Sequence, residues 1–245
     1  MLETILRDAQ HIVVLTGAGI SAESGIPTFR DALTGLWAQF SAEELASPQG
    51  FRRNPERVWA WYAARRAAVA QAQPNAGHQA LVRMEQATPC FTLLTQNVDG
   101  LHRRAGSQHV IELHGNIERV RCSQDGTLHT DWDDAAGVPH CPQCQALLRP
   151  DVVWFGEALP TAALEAAWDA ASHCDVFFSV GTAGLVEPAA SLPHVAVQCG
   201  AVLVEVNPAE TPLSAYATYT LRGAAGAVLP ALVDRTWDGR DGEHG

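Results

Sequence analysis

His11-Ile-Val-Val-Leu-Thr16, followed at once by Gly17-Ala-Gly19, is the stretch from which the rest of the chain is read. A short, unbroken, β-branched apolar run belongs to a strand covered on both faces, and glycines directly after it mark a tight strand-to-helix turn. Runs of the same kind recur at residues 91–95, 109–113, 175–180 and 201–206. Helical stretches stand between or after them at 76–85, 161–172, 188–198 and 226–233. Apolar strands alternating with helices predict parallel pairing through crossover helices. The expected fold is α/β, a doubly wound parallel sheet of Rossmann-like type with ligands at the carboxyl ends of its strands.

Two insertions break the alternation. Residues 31–75 are mostly helical, with Asn54-Pro55-Glu56 supplying a cap, a first-turn proline and an acid at the positive end of the helix dipole. Residues 119–150 carry cysteines and few apolar runs. These insertions predict a smaller helical and zinc-binding lobe beside a large lobe made of 1–30, 76–118 and 151–235. The tail, 236–245, has little to bury and is expected to fray.

Composition narrows the function. The chain has 245 residues, 47% hydrophobic and 18% charged, which is globular composition. Sixteen basic against 27 acidic side chains give a net charge of -11, which disfavours nucleic acid as a partner. No window approaches the roughly 18 uninterrupted apolar residues of a membrane span, and no leader pattern opens the chain. A soluble, cytoplasmic protein is expected, with six cysteines held reduced. The turn itself offers Gly17, Ala18, Gly19, Ser21 and Ala22 to a phosphate, with Ala22 where a third glycine often stands. Arg30 follows closely enough to make a bidentate phosphate contact.

The stretch Gly17-Ala-Gly-Ile-Ser-Ala-Glu-Ser-Gly-Ile-Pro-Thr-Phe-Arg30 resembles the signature of the sirtuins, the NAD-dependent protein deacylases. Thr95-Gln-Asn-Val-Asp-Gly-Leu-His102, Glu112-Leu-His-Gly-Asn116 and Arg149-Pro-Asp-Val-Val-Trp-Phe-Gly-Glu157 agree in order, as do Gly181-Thr182 and Val206-Asn207-Pro208. The resemblance covers residues 12–229 and implies one catalytic domain. It implies NAD as cofactor, acylated lysine side chains of proteins as substrate, and nicotinamide with O-acyl-ADP-ribose as products. His114 closes an apolar strand, and an imidazole with an ordinary pKa of about 6.5 suits a general base. By the resemblance Asn97 and Asp99 join it in catalysis, and Gln96 lines the nicotinamide and ribose pocket with them. Phe29 and Arg30 would cover the reacting sugar and phosphate, while Gly181, Thr182, Asn207 and Ala225 would hold the adenosine side.

Tyr62 and Arg65 stand three apart on one helix and share a face, whereas Arg66 does not. A phenol beside a guanidinium binds a carboxylate, and the pair resembles that of the class III sirtuins, which remove succinyl and malonyl as well as acetyl groups. Val152, Trp154, Phe155 and Gly156 are then expected to hold the substrate peptide as an added strand. Cys141-Pro-Gln-Cys144 is one zinc half-site, and Cys122 begins another whose second position is Asp125. Asp125, His129 or His140 remains open as the fourth zinc ligand. Cys90, Cys174 and Cys199 are expected to be buried small hydrophobes. An ADP-ribosyltransferase would use the same cofactor pocket without needing Tyr62 and Arg65. A non-catalytic NAD-binding module would be expected to lose His114 or Asn97, and both are present.

Overall fold

A computed structural model describes residues 1–27 and 38–238. Strands β1 (His11–Thr16), β2 (Cys90–Thr95), β3 (Val110–Glu112), β7 (Val176–Val180), β8 (Val202–Val206) and β9 (Tyr219–Leu221) form one sheet in the order β3-β2-β1-β7-β8-β9. Every pair in it is parallel. Strands β4 (Gly115–Cys122), β5 (Leu128–His129) and β6 (Leu148–Val152) form a second, antiparallel sheet in the order β5-β4-β6. The doubly wound expectation is met, and the second sheet lies largely in the segment expected only as a cysteine-bearing insertion. The short β9 was not anticipated.

Strand alternation explains the layers. Ile12 and Val14 face one side of β1, where helices α1 (Leu2–Asp8), α5 (Ala76–Ala87) and α9 (Ala225–Val233) pack. Val13 and Leu15 face the other side, where α7 (Thr161–His173) and α8 (Leu192–Gln198) pack. All four β1 side chains are buried, which is why the run contains no polar alternation.

The insertions meet each other. Helices α2 (Ala42–Leu45), α3 (Pro48–Arg53) and α4 (Pro55–Gln71) lie between β1 and β2 in the chain. From α4, Val58, Trp61, Tyr62 and Val69 join Ile117, Val152 and Trp154 in one core. Trp59, on another side of the same helix, joins Val120, Cys122, Cys141 and Leu148 in a second. Arg66 is ion-paired with Asp134 and lies 4.6 Å from the Trp59 ring centroid. The remaining helix, α6 (Leu101–Ala105), follows β2.

Two expectations are corrected. Cys174 is buried and its thiol is pushed up to about 12 by burial, but Cys90 and Cys199 are exposed, because one opens its strand and the other lies just past the end of α8. The expected loose end does not begin at 236: Asp234–Asp238 form a further helical turn, and the Thr236 hydroxyl is buried and donates to the Leu232 carbonyl at 2.7 Å. Residues 239–245 lie outside the described ones, as do Phe29 and Arg30. Among the described residues no helix is long and apolar enough to cross a membrane.

Asn75 ties two layers together. Its Oδ1 accepts from the Gly77 and His78 amides at the start of α5, and its Nδ2 donates to the Ile20 carbonyl at 2.7 Å and to Ser24 Oγ at 3.0 Å. Asn75→Ala removes a cap and two further hydrogen bonds, and is expected to cost about 2 kcal/mol. A urea-unfolding midpoint lowered with unchanged slope checks this; a change under about 0.5 kcal/mol contradicts it.

Candidate functional site

The strand order reverses at β1, whose neighbours β2 and β7 lead outward in opposite directions. Loops leaving the carboxyl ends of β1 and β7 therefore part and leave a crevice, the usual ligand position in such sheets. Here the two loops meet through backbone. Gly17 N–H donates to the Val180 carbonyl at 3.0 Å and Gly19 N–H to the Gly181 carbonyl at 2.8 Å. A Cβ on Gly19 would stand 2.7 Å from the Gly181 Cα, and Gly181 has a φ of +59°. These glycines serve the protein's own close approach before any ligand arrives. The chain continues as a 3₁₀ helix, Ala18–Ser24, with Ser21 buried, Ala18 half-buried and Ala22 exposed.

Polar side chains from the next strand end complete the floor. Asn97 Nδ2 donates to the Gly17 carbonyl at 3.1 Å and to Ser21 Oγ at 3.2 Å, and Ser21 Oγ donates to Asp99 Oδ2 at 2.7 Å. Asp99 is buried, and its Oδ1 accepts from the Leu101 amide, so both carboxylate oxygens are engaged. Gln96 Nε2 donates to Thr182 Oγ1 at 3.1 Å, and Asn207 Nδ2 donates to the Thr182 carbonyl at 2.9 Å. The structure thus gathers Gly17, Gly19, Ser21, Gln96, Asn97, Asp99, Gly181, Thr182 and Asn207 along one crevice. Ala225 differs: its side chain is buried in the core under α9, leaving only backbone for a ligand.

His114 stands at the same edge. Its Nδ1 lies 2.9 Å from the Gln96 carbonyl. A carbonyl only accepts, so Nδ1 carries the proton and Nε2 keeps its lone pair. Burial lowers the pKa of the ring below the ordinary imidazole value, and the Gln96 carbonyl partly opposes that shift. The imidazole is therefore neutral at pH 7 and able to accept a proton.

A polar layer lies beneath this floor, outside the expected site residues. Thr16 and Thr95 pair across β1 and β2, and Thr16 Oγ1 donates to Thr95 Oγ1 at 2.9 Å and shares a 2.9 Å bond with His102 Nε2. Burial brings His102 down to about 3, with His78, its ring centroid 4.9 Å away, adding to the effect. Two threonines ending apolar runs in matching positions were the available signal.

On α4, Tyr62 is buried and its Oη accepts from Trp154 Nε1 at 2.9 Å. Burial raises the phenol's pKa, against the opposing pull of Arg65. The Arg65 guanidinium lies 4.8 Å from the Trp61 ring centroid and 5.9 Å from that of Tyr62. Burial lowers its pKa, with Tyr62 and Asp99 acting in the other direction. The segment after β6 departs from the expected open strand. Val152 and Trp154 are buried, and the amides of Val153, Trp154 and Phe155 already donate to His114 O, Glu157 Oε2 and Ala46 O. With those donors committed, the exposed Phe155 and Gly156 are what the segment offers to a partner. Alternation along the chain turns Trp154 inward and Phe155, 53% exposed, outward.

The cysteine cluster suits a metal. The sulfurs of Cys122, Cys141 and Cys144 all lie within 4.8 Å of one another, with Cys122 and Cys144 at 3.4 Å. Tetrahedral zinc with Zn–S of about 2.3 Å and Zn–N of about 2.0 Å sets ligand atoms roughly 3.5–3.8 Å apart. Backbone amides, that of Cys144 first, lower the Cys141 thiol to about 7, whereas the Cys144 thiol, though the Ala146 amide pulls it down, is pushed up to about 11 by Cys122, burial and Cys141; a cation among the three sulfurs would offset that crowding of thiols. Of the three candidates for a fourth ligand, His129 places Nε2 at 3.7 Å from Cys141 Sγ. The Asp125 carboxylate accepts from the Thr127 amide beside Cys122, and His140 sits in an exposed bridge to Leu147.

The chain is similar to known proteins along most of its length. A profile of the Sir2 family matches residues 17–188. An NAD-dependent protein deacylase of Methylococcus capsulatus is 51% identical over 237 residues, with 93% of each chain covered. A protein of the same name from Aquifex aeolicus is 52% identical over 226 residues, covering 91% of this chain and 94% of its own. Among solved structures, a Sir2 homologue–NAD complex superposes with a TM-score of 0.91 at 47% identity, covering 96% of this chain and 92% of that one. A Sir2 homologue mutant with 2'-O-acetyl ADP ribose gives 0.90 at 46% identity, covering 100% and 98%. A Sir2 bound to acetylated peptide gives 0.84 at 33% identity, covering 96% of each. With a glycine crevice, a neutral imidazole at its edge and relatives of this identity along nearly its whole length, the chain belongs to the Sir2 family, the sirtuins.

Proposed function

We propose that the acyl pocket of this NAD-dependent protein-lysine deacylase takes chains ending in a carboxylate, succinyl and malonyl, as well as acetyl. The observation that carries the reading is the placing of the Arg65 guanidinium over the Trp61 and Tyr62 rings, within reach of the Asp99 charge. A carboxylate entering such apolar surroundings needs a cation and a hydrogen-bond donor to offset its lost hydration. Arg65 supplies the first and Tyr62, kept protonated by burial, the second.

Bound NAD supplies a nicotinamide–ribose bond whose cleavage exposes the sugar carbon to an acyl oxygen. The chain's residues bind, orient and move protons around that event. His114 Nε2 is the base for a ribose hydroxyl, its ring held by the Gln96 carbonyl. Gln96, Asn97 and Asp99 line the nicotinamide and ribose side, with Ser21 bridging Asn97 and Asp99, and Gly181, Thr182 and Asn207 line the adenosine side. The Gly17 to Ala22 turn faces the diphosphate and Ala225 contributes through its backbone; Phe29 and Arg30, expected at the sugar and the phosphate, lie outside the described residues. Phe155 and Gly156 meet the peptide that presents the acylated lysine. Relatives named deacylase, together with the retention of His114, Asn97 and the Tyr62–Arg65 pair, disfavour an ADP-ribosyltransferase or a non-catalytic module. One catalytic domain comprises both lobes, and its net charge of -11 argues against nucleic acid. The cytoplasm, where thiols stay reduced, suits a zinc site of Cys122, Cys141, Cys144 and His129.

Arg65→Met is expected to lower kcat/KM for a succinyl-lysine peptide by roughly 10- to 100-fold, as loss of a charge-assisted pair does, and to change deacetylation less than about threefold. Equal losses would make Arg65 structural. Because burial lowers the His114 pKa, the neutral base is lost only as pH falls below about 6.5, so the acid limb of kcat/KM is expected beneath that value. An acid limb at or above it contradicts the assignment. Protein purified without added zinc is expected to hold about one equivalent by elemental analysis, and His129→Ala to reduce it; well under one equivalent in the parent protein overturns the metal site.

A further inference from the structure

We propose that Trp154 is a specificity-determining positioning residue, because its indole N–H, donated to Tyr62 Oη at 2.9 Å, aims the Tyr62 proton at the carboxylate of the acyl chain. The proposal rests on the reading of Tyr62 and Arg65 as that carboxylate's partners. Tyr62 is 1% exposed and Trp154 2%, so the bond between them is sheltered from water. A phenol has one proton to give and lone pairs to accept with, and its O–H prefers the plane of the ring. An accepted bond on one side leaves the proton to point to the other.

Among the described residues nothing accepts the Tyr62 proton, although the phenol is buried and burial favours its protonated form. A buried donor without an acceptor is costly, and a ligand oxygen relieves that cost. The neighbouring guanidinium of Arg65 selects an anionic oxygen. An acetyl group ends in a methyl and has nothing to offer at this point, so the arrangement acts on the far end of the acyl chain and not on the reacting carbonyl.

The indole is itself held in place. The Arg149 guanidinium lies 3.4 Å from the Trp154 ring centroid, and its Nη2 donates to the Val152 carbonyl at 2.9 Å and to Glu157 Oε2 at 2.8 Å. Glu157 Oε2 also accepts from the Trp154 amide at 2.9 Å. Phe51 packs against the indole at 5.3 Å between centroids. The ring therefore has little freedom to swing away, and its N–H stays on Tyr62.

Trp154→Phe keeps an aromatic ring for Arg149 and deletes the N–H. With succinyl- and acetyl-lysine peptides of one sequence, we expect kcat/KM for desuccinylation to fall about 5- to 20-fold, mainly through KM, and deacetylation to stay within about twofold. In a Tyr62→Phe background the same change is expected to leave acyl preference unaltered, since the proton being aimed is gone. Replacing Trp154 by its benzothiophene analogue, which keeps the shape and lacks the N–H, repeats the test should the phenylalanine variant fold poorly. Parallel losses for both peptides, or no loss for either, overturn the proposal. If Tyr62→Phe and Arg65→Met shift acyl preference and the Trp154 variants do not, this proposal alone fails; if none of them does, the underlying reading fails.

Discussion

The contact on which the rest of the site depends is the one between two glycine backbones. Gly19 donates to the Gly181 carbonyl at 2.8 Å, at the point where the sheet's strand order turns back on itself. No side chain fits on either residue, because a Cβ on Gly181 would come 2.6 Å from the Ile20 nitrogen. Two loops that the topology would otherwise separate are thereby pinned at a single crevice. Gln96 to Thr182, Asn97 to Gly17 and Asn207 to Thr182 then bridge the loops at hydrogen-bond distance. Gln96 also fixes His114 from its carbonyl, so the imidazole proposed as the base inherits its position from the same junction.

The Tyr62–Arg65 pair proposed to select the acyl group belongs to a different part of the protein. Helix α4 is shared between a core containing Tyr62 and Trp154 and one containing Trp59 and the cysteines. The Arg66–Asp134 pair ties that helix to the loop following β5. The cysteine segment therefore bears on the helix that carries Tyr62 and Arg65, although it stands outside the crevice. On the proposed reading, reaction chemistry rests with the parallel sheet and acyl choice with the inserted helix α4, and Val153 N–H, donating to the His114 carbonyl at 2.9 Å, holds the segment that carries Trp154 against the strand end that carries His114.

Legibility in the sequence followed burial. The strands of the large sheet are covered on both faces, so His11–Thr16 and its counterparts stood out as apolar runs, and parallel pairing followed from the helices between them. Strand β4, Gly-Asn-Ile-Glu-Arg-Val-Arg-Cys, mixes charges with apolar residues because Arg119 and Arg121 reach ion pairs with Glu112, Asp151 and Glu157. Periodicity alone could not separate it from a loop. His114, Asn97 and Asp99 were found through motif resemblance, and their hydrogen bonds explain the spacing afterwards. In the sequence alone Trp154 reads as a substrate contact, because nothing there reveals that Tyr62 stands behind it. The bond between residues 92 positions apart is a tertiary fact.

Product analysis with a succinyl-lysine peptide and NAD tests the account most directly. The expected result is one deacylated peptide and one O-succinyl-ADP-ribose for each nicotinamide released, resolved by mass. A peptide that keeps its succinyl group and gains ADP-ribose, or nicotinamide released with the peptide unchanged, would contradict it.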